Sequence, residues 1–374
     1  RDYQLDAFCH AIKKRRAMML SPTASGKSLI IYLITRYLKK RTLVIVPTIS
    51  LVQQMAGDFD SYGYDKPMHC ITAGVEKETE HDVTISTWQS IYKMPKNWFK
   101  QFDVVVGDEA HLFKSKSLTS IMTKLDTTKY RYGFTGTLDG STTHKLVLEG
   151  LFGAVEKVTT TEELIKKGTL SKFNIKCIEL QYPDEVKKIH SKDKYQDEVD
   201  FLVRNESRNR FLRNLSISLK GNTLMLFQFV DKHGKPLYKD IVKTLKDSVE
   251  KDRKVFFVSG EVAGSAREEI RHIVEKEQDA IIVASFGTFS TGVNIKRLHN
   301  IVFCSPSKSR IRVLQSIGRG LRTGDDKEIA TLFDIADNLI WKSKKNYTIE
   351  HFGERLRMYN EEKFDYKMYK VALK

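Results

Sequence analysis

The sequence predicts an α/β protein that uses one architecture twice: two parallel sheets in tandem, each covered by helices on both faces. Three observations lead there. Strand-length runs of Val, Ile and Leu alternate with helical patterns along most of the chain. That rhythm breaks once, between Gly150 and about Ser171, where two glycines and a threonine run intervene, and then resumes. Finally, 374 residues are more than one ordinary core accommodates.

The first array opens with a helical pattern from Tyr3 to Lys14, with Leu5, Phe8, Cys9 and Ile12 on one face. An apolar strand, Ala17 to Leu20, leads through a loop of small residues into a helix from Leu29 to Leu38. Strands are expected at Thr42 to Val46, Met68 to Ile71, Val83 to Ser86, Phe102 to Gly107 and Tyr130 to Phe134, with helices around Leu51 to Phe59 and Leu118 to Leu125. Beyond the break, a strand from Phe173 to Leu180 and two charged helices, about Asp193 to Val203 and Ser207 to Leu219, introduce the second array. Its strands are Leu224 to Phe229, Val255 to Val258, Ala280 to Ala284, Ile301 to Cys304 and Ile329 to Ile335. Helices around Lys239 to Ser248, Ala266 to Lys276 and Ile311 to Ile317 lie between them, and a charged amphipathic helix from Thr348 to Phe364 closes the chain. The expected organisation is a first domain over 1–160, a linker and lead-in over 161–205, a second domain over 206–345 and a C-terminal helical segment over 346–374.

Composition narrows the function. No apolar run approaches the ~20 residues a bilayer span requires. The four cysteines (Cys9, Cys70, Cys177, Cys304) are scattered without metal-ligand spacing, which argues against a zinc site and fits a reducing cytoplasm. A net charge of +16 points to a polyanionic partner, most simply nucleic acid. The chain opens on Arg1 rather than Met and shows no signal peptide, so it reads as a piece of something longer.

The loop after the first strand is Ser21-Pro22-Thr23-Ala24-Ser25-Gly26-Lys27-Ser28. Strand, small-residue loop ending Gly-Lys-Ser, then helix is the setting of a phosphate-binding P-loop, although Ser21 stands where the pattern has its first glycine. Thr23, Ala24, Ser25 and Gly26 would offer backbone N–H groups to phosphate oxygens at a helix N-terminus. Lys27 would reach the β- and γ-phosphates and Ser28 would hold Mg²⁺. Asp108 and Glu109 follow an all-apolar strand, at the end of the sheet where α/β proteins bind ligands. One carboxylate suits Mg²⁺ and the other suits the attacking water; Asp108 takes the first role and Glu109 the second.

With Asp108-Glu109-Ala110-His111 the chain resembles superfamily 2 helicases of the DEAH type, and the other motifs of that family are present in order. Arg1-Asp2-Tyr3-Gln4 resembles the adenine-recognition element, with Arg1 and Gln4 as the binding residues. Val46-Pro47-Thr48 and Ser86-Thr87-Trp88-Gln89-Ser90 resemble motifs Ia and Ib. Gly133-Phe134-Thr135-Gly136-Thr137 resembles motif III, which would make His111, Thr135 and Thr137 coupling residues. Ser285 to Asn294, with Gly292 and Asn294 as nucleotide contacts, resembles motif V. Gln315 to Arg322 matches the motif VI pattern Q-x-x-G-R-x-x-R. The resemblance implies two tandem RecA-like P-loop NTPase domains with a C-terminal helix, ATP and Mg²⁺ as cofactors, and coupling of hydrolysis to work on nucleic acid. Arg319 and Arg322, at i and i+3 in motif VI, would bring positive charge from the second domain to the γ-phosphate.

Asn294 stands where many relatives carry Asp, and Thr135-Gly136-Thr137 differs from the Ser-Ala-Thr common in RNA helicases. The second difference leans toward the DNA-directed branch with RecG-like and restriction-enzyme motors, and the overall wording of the motifs is most similar to the recombination and repair helicases of T-even phages. That implies branch migration and unwinding of forked, D-loop, R-loop and Holliday-type structures. It also implies a monomer in the cytoplasm of a bacterial or phage-infected cell, and an N-terminal DNA-binding domain outside this chain. A DEAH-type RNA helicase and a nucleotide-gated clamp that does not cycle remain alternatives.

For the nucleic-acid track, Thr48, Thr87, Gln89, Ser259, Gly260, Ser285 and Thr288 are candidates, because small polar groups at strand ends grip phosphates without reading sequence. Trp88 either stacks on a base or anchors the core beneath its loop. The basic runs Lys13 to Arg16, Lys39 to Arg41 and Lys342-Ser343-Lys344-Lys345 read as solvated faces.

Overall fold

The computed structural model describes residues 1–248, 252–262, 264–288, 295, 297–305, 307, 309–320 and 329–373. The chain divides into two compact units, Arg1–Glu163 and Leu164–Lys374. In the first, β1 (Arg16–Leu20), β2 (Thr42–Val46), β3 (Met68–Ile71), β4 (Val83–Thr87), β5 (Val104–Asp108), β6 (Tyr130–Thr135) and β7 (Val155–Lys157) form one sheet in the order β3-β4-β2-β5-β6-β1-β7. Every pairing is parallel.

All of β2 is buried, and its side chains alternate between two cores. Val44 and Val46 pack with Ile30, Ile34, Val52 and Phe59, whereas Leu43 and Ile45 pack with Phe99, Phe102 and Phe152. A strand with two dry faces has no polar alternation to display, so it reads as a continuous apolar run. Gly107 in β5 and Gly133 in β6 face each other across the sheet and leave room for aromatic rings. A Cβ on Gly107 would lie 2.7 Å from Phe113 Cζ, and one on Gly133 would lie 2.9 Å from the Phe152 ring. Those two rings meet edge to face with centroids 5.0 Å apart, directly beneath the strand end that carries Asp108.

The second sheet contains β8 (Lys172–Gln181), β9 (Thr223–Phe227), β10 (Val255–Val258), β11 (Ile281–Ser285), β12 (Asn300–Phe303), β13 (Ile329–Asn338) and β14 (Tyr366–Ala372). Its order is β10-β11-β9-β12-β13-β8-β14, again parallel throughout. This is the first order shifted by seven strand numbers, so the repetition extends to topology.

Three segments differ from the sequence expectation. Residues 161–205 are not a linker and lead-in: they supply β8, which sits between β13 and β14, and the helix Tyr195–Arg204. The chain ends on a strand rather than on the helix Tyr347–Glu361, because β14 pairs with β8 at the sheet edge. The first unit continues past Phe134 with a helix, Thr142–Phe152, and β7, so the break in rhythm is shorter than the composition suggests.

The carboxyl end of β13 in the second unit is filled by buried charge. Arg208 grips Asp337 with two bonds of 2.8 and 3.1 Å, and Tyr182 OH donates to the same carboxylate at 2.8 Å. One step along the strand, Arg355 and Tyr359 bond Asp334. Among the described residues no helix is long and apolar enough to cross a membrane.

Candidate nucleotide site

β1 and the helix Lys27–Leu38 are joined by a loop that hydrogen-bonds to itself. Ser25 N and Ser25 Oγ both donate to Pro22 O, at 3.2 and 2.6 Å, and the Ser21 and Ser25 hydroxyls lie 2.6 Å apart. Ser21 N donates to Thr135 O of β6 at 2.9 Å. The left-handed residues are Ala24 (φ 65°) and Gly26 (φ 80°), so Ser21 needs no glycine freedom and the departure at the first P-loop position leaves the backbone unstrained. Lys27 Nζ lies 3.4 Å from both Ser21 O and Pro22 O, across the mouth of the loop.

The first helix, Asp2–Lys14, fixes the other side of this loop. Gln4 Nε2 donates to Ser25 O and Gly26 O at 3.2 and 3.3 Å, while Tyr3 OH donates to Ser25 O at 2.7 Å and accepts from the Arg1 guanidinium at 3.1 Å. A Cβ on Gly26 would come within 2.4 Å of Gln4 Nε2, so the contact requires glycine there. The sequence alone does not single out Tyr3; its place beside Gln4 at a helix start is the available sign.

Asp108 ends β5 almost fully buried, and its Oδ1 has no hydrogen-bond partner among the described residues. Burial, reinforced by the adjacent Glu109 carboxylate and opposed by Lys27, raises its pKa to about 6. Glu109 takes a left-handed conformation (φ 49°), an uncommon state for a residue with a side chain, at the start of the 3-10 turn Ala110–Lys114. Its carboxylate lies 3.3 Å from His111 Nδ1, which is also 2.9 Å from Thr135 Oγ1. Thr135 Oγ1 in turn donates to Thr137 O at 3.1 Å. The three expected coupling residues and Glu109 therefore form one polar cluster. Two residues missed in the sequence brace it: His144 Nε2 bonds His111 O at 2.9 Å, and Asp139 lies 2.9 Å from His144 Nδ1. The Lys114 ammonium and Ser141 hold the Asp139 carboxyl well below the usual carboxylate range against its burial.

Gly136 packs over the P-loop, since a Cβ there would lie 3.3 Å from Thr23 N. Ser28, in the first turn after Lys27, has its hydroxyl 3.0 Å from Tyr62 OH. An unpartnered buried carboxylate oxygen and a helix-start hydroxyl are oxygen donors of the kind a hard divalent cation takes, so the residues fit Mg²⁺.

The state of Asp108 has a measurable consequence. Its folded pKa lies above the unfolded value, so its contribution to stability is complete below about pH 4 and is lost as pH rises through about 6. At pH 7.5, without nucleotide or cation, the fold carries a costly buried charge. Asp108→Asn removes it and is expected to raise stability by about 2–3 kcal/mol at pH 7.5 and by much less at pH 4. Thermal unfolding of the apoprotein at both pH values measures this; equal stabilities at pH 7.5 contradict the assignment.

The other candidates lie at strand ends. Thr48 caps the helix Ile49–Ser61 by accepting from Leu51 N at 3.4 Å, Thr87 Oγ1 lies 2.9 Å from Ser90 Oγ, and the exposed Gln89 donates to Pro47 O at 3.4 Å. Trp88 is half-buried against the second core and meets Tyr92 with ring centroids 6.0 Å apart, as a core anchor does. In the second unit Ser259 follows β10 and is buried, with Gly260 exposed beside it. Ser285 ends β11 and donates to Thr288 Oγ1 at 2.8 Å. Gln315 and Arg319 belong to the helix Arg310–Gly320. Gly292, Asn294 and Arg322 lie outside the described residues.

Two parallel seven-stranded sheets of one topology, with a P-loop after β1 and an acidic pair after β5, define a tandem RecA-like helicase architecture. The sequence matches the family described as type III restriction enzyme, res subunit, over residues 1–140. It is 36% identical to the ATP-dependent DNA helicase uvsW of Enterobacteria phage T4 over 99% of this chain and 77% of that protein. The chain belongs to the uvsW family of ATP-dependent DNA helicases. It is also 25% identical to the DNA 3'-5' translocase XPB2 of Sulfurisphaera tokodaii, over 88% of this chain and 80% of that protein. In fold it is similar to the ATP-dependent type ISP restriction-modification enzyme LlaBIII bound to DNA, with a TM-score of 0.72 at 14% identity, covering all of this chain and 31% of that one.

Proposed function

We propose that this chain is an ATP-hydrolysing DNA motor that remodels branched DNA, including forks, D-loops, R-loops and Holliday-type structures, in recombination and repair. The observation that carries the catalytic half is the acidic pair: Asp108 buried with a free oxygen, and Glu109 bent into a left-handed turn beside His111. Lys27 binds the β- and γ-phosphates, and the loop from Thr23 to Gly26 holds the remaining phosphate oxygens through its N–H groups. Ser28 and Asp108 hold Mg²⁺, which when bound neutralises charge on the phosphates. Glu109 orients the attacking water and takes its proton, and His111, Thr135 and Thr137 tie that carboxylate to the end of β6. Arg319 and Arg322 of the second unit act on the charge of the transferred phosphoryl group. Gln4 and Arg1 hold the adenine side, together with the P-loop bonds described above.

Support for DNA as the partner comes from the family and from the net charge of +16. Thr48, Thr87, Gln89, Ser259, Gly260, Ser285 and Thr288 contact phosphates in this reading, and the branched form of the substrate is proposed from the resemblance of the motifs to recombination and repair helicases. ATPase assays with forked DNA, linear duplex and RNA test this reading: forked DNA stimulates most, and equal stimulation by RNA contradicts it. Binding to DNA falls steeply with salt, with a slope of log K against log[salt] of about −0.9 per phosphate contacted, and varies little with base sequence. A flat dependence in a fluorescence-anisotropy titration contradicts phosphate-dominated binding.

A further inference from the structure

We propose that the second unit carries a docking site for single-stranded nucleic acid at the carboxyl rim of β8 and β13, built from Tyr195, Tyr347 and the lysines around them. This rests on the reading that the chain acts on DNA. It assigns a contact outside the strand-end track of small polar residues.

Two helices, Tyr195–Arg204 and Tyr347–Glu361, each begin with a tyrosine. Those tyrosines are 39% and 42% exposed, and their rings meet edge to face with centroids 6.0 Å apart. The His351 ring continues the cluster, 5.3 Å from Tyr195. The base beneath is rigid. Glu198, 2% exposed, accepts from Asn346 Nδ2, Tyr347 N and Thr348 N at 2.8 Å each, and from Thr348 Oγ1 at 2.6 Å. One buried carboxylate thus locks the two helix starts side by side and holds both rings toward water. Rings held this way lose little conformational freedom on contact, which favours them as binding anchors.

Lysines fringe the rings. The turn Trp341–Lys344 is closed by backbone bonds of 3.3 and 3.1 Å and puts Lys342 at its tip in a left-handed conformation (φ 56°). Lys344 Nζ donates to Ser191 O at 2.7 Å and so ties this turn to the loop bearing Lys192 and Lys194. Lys192, Lys194, Lys342, Lys344 and Lys345 are all exposed. Of the nearby acids, Asp193 is paired with His190 at 2.7 Å, Asp197 accepts from Lys194 N at 3.3 Å but stays exposed, and Glu350 is exposed as well, against five exposed lysines. Exposed rings bordered by ammonium groups bind bases by stacking and phosphates by charge, the chemistry of single-strand recognition. A closed duplex hides the faces of its bases and cannot use the rings. The patch shares its rim with Ser259 and Ser285 but lies toward the opposite end of the sheet.

The test is binding of a fluorescent dT20 oligonucleotide and of a blunt duplex by the full chain, with basal ATPase as control. Tyr195→Ala/Tyr347→Ala weakens dT20 binding roughly tenfold or more and leaves duplex binding and basal turnover unchanged, while Tyr195→Phe/Tyr347→Phe retains dT20 affinity. Lys342→Glu/Lys345→Glu lowers dT20 affinity and flattens its salt slope. A dT20 carrying 5-iodouracil crosslinks to Tyr195 or Tyr347. Unchanged dT20 affinity in the alanine variant, with crosslinks elsewhere, overturns the site, leaves the patch to a protein partner and leaves the DNA motor standing. Absence of all DNA binding by the unmodified chain overturns both.

Discussion

Glu109→Gln binds ATP within about twofold of the unmodified chain and loses about 10²–10⁴-fold in kcat. The substitution keeps the side chain's size and its ability to bond His111, 3.3 Å away, but removes the base. In the proposed role the carboxylate acts on water only as the transition state forms, so the loss falls on kcat and not on affinity. Lys27→Ala is expected to show the opposite pattern: in the proposed role the ammonium that crosses the loop mouth neutralises phosphate charge in the ground state as well, so nucleotide binding itself fails. Equilibrium binding of a fluorescent ATP analogue beside steady-state turnover separates the two. Near-normal turnover in Glu109→Gln would give the water-activating role to another group.

Arg322→Ala is expected to lower kcat by about 10³–10⁵-fold with a far smaller effect on ATP affinity. The proposed assignment takes Lys27, Asp108 and Glu109 from the first unit and its phosphoryl-directed arginines from the second, so neither unit hydrolyses ATP alone. Arg322→Lys does not restore turnover, because a point charge lacks the planar fork that spans two oxygens. The fragment 1–163, which has its own sheet and two cores, binds nucleotide weakly and shows no DNA-stimulated hydrolysis. The measurement is ATPase activity of each with saturating forked DNA, and full stimulated turnover in the fragment or in Arg322→Ala would confine the active site to the first unit.

What the sequence discloses depends on how far apart the interacting residues lie. β2 and β5 are recognisable because both faces are buried and their residues are apolar or small up to the terminal Asp108 of β5. Lys27 and Asp108 stand out because phosphoryl chemistry would call for such residues at fixed places relative to a strand end. β14 escapes notice because it is an edge strand with its face largely exposed, and β8, which it pairs with, is nearly 200 residues away. The helix Thr142–Phe152 escapes because Leu146 and Val147 on it are exposed, which blurs the amphipathic pattern. Within the site, the clamp of Tyr3 and Gln4 on the P-loop closes over 21 or 22 residues, and the brace of His144 on His111 over 33. Those contacts join residues whose local patterns say nothing of each other. Only the folded sheet brings them together.

The two sheets share an order, so the strand ends carrying the P-loop and Thr135 in the first unit correspond to those carrying Tyr182 and Asp337 in the second. At that address one copy holds the loop proposed to cradle a visiting polyanion, whereas the other is filled by its own guanidinium, carboxylate and phenol. Variation in the two copies therefore reaches the cell by different routes. A lesion at Lys27 yields an abundant protein that does not turn over. A lesion at Arg208 or Asp337 strands a charge in a dry interior at about 3–5 kcal/mol and yields a heat-sensitive protein cleared by proteolysis. Temperature-sensitive alleles should gather in the filled copy and dominant-negative ones in the open copy.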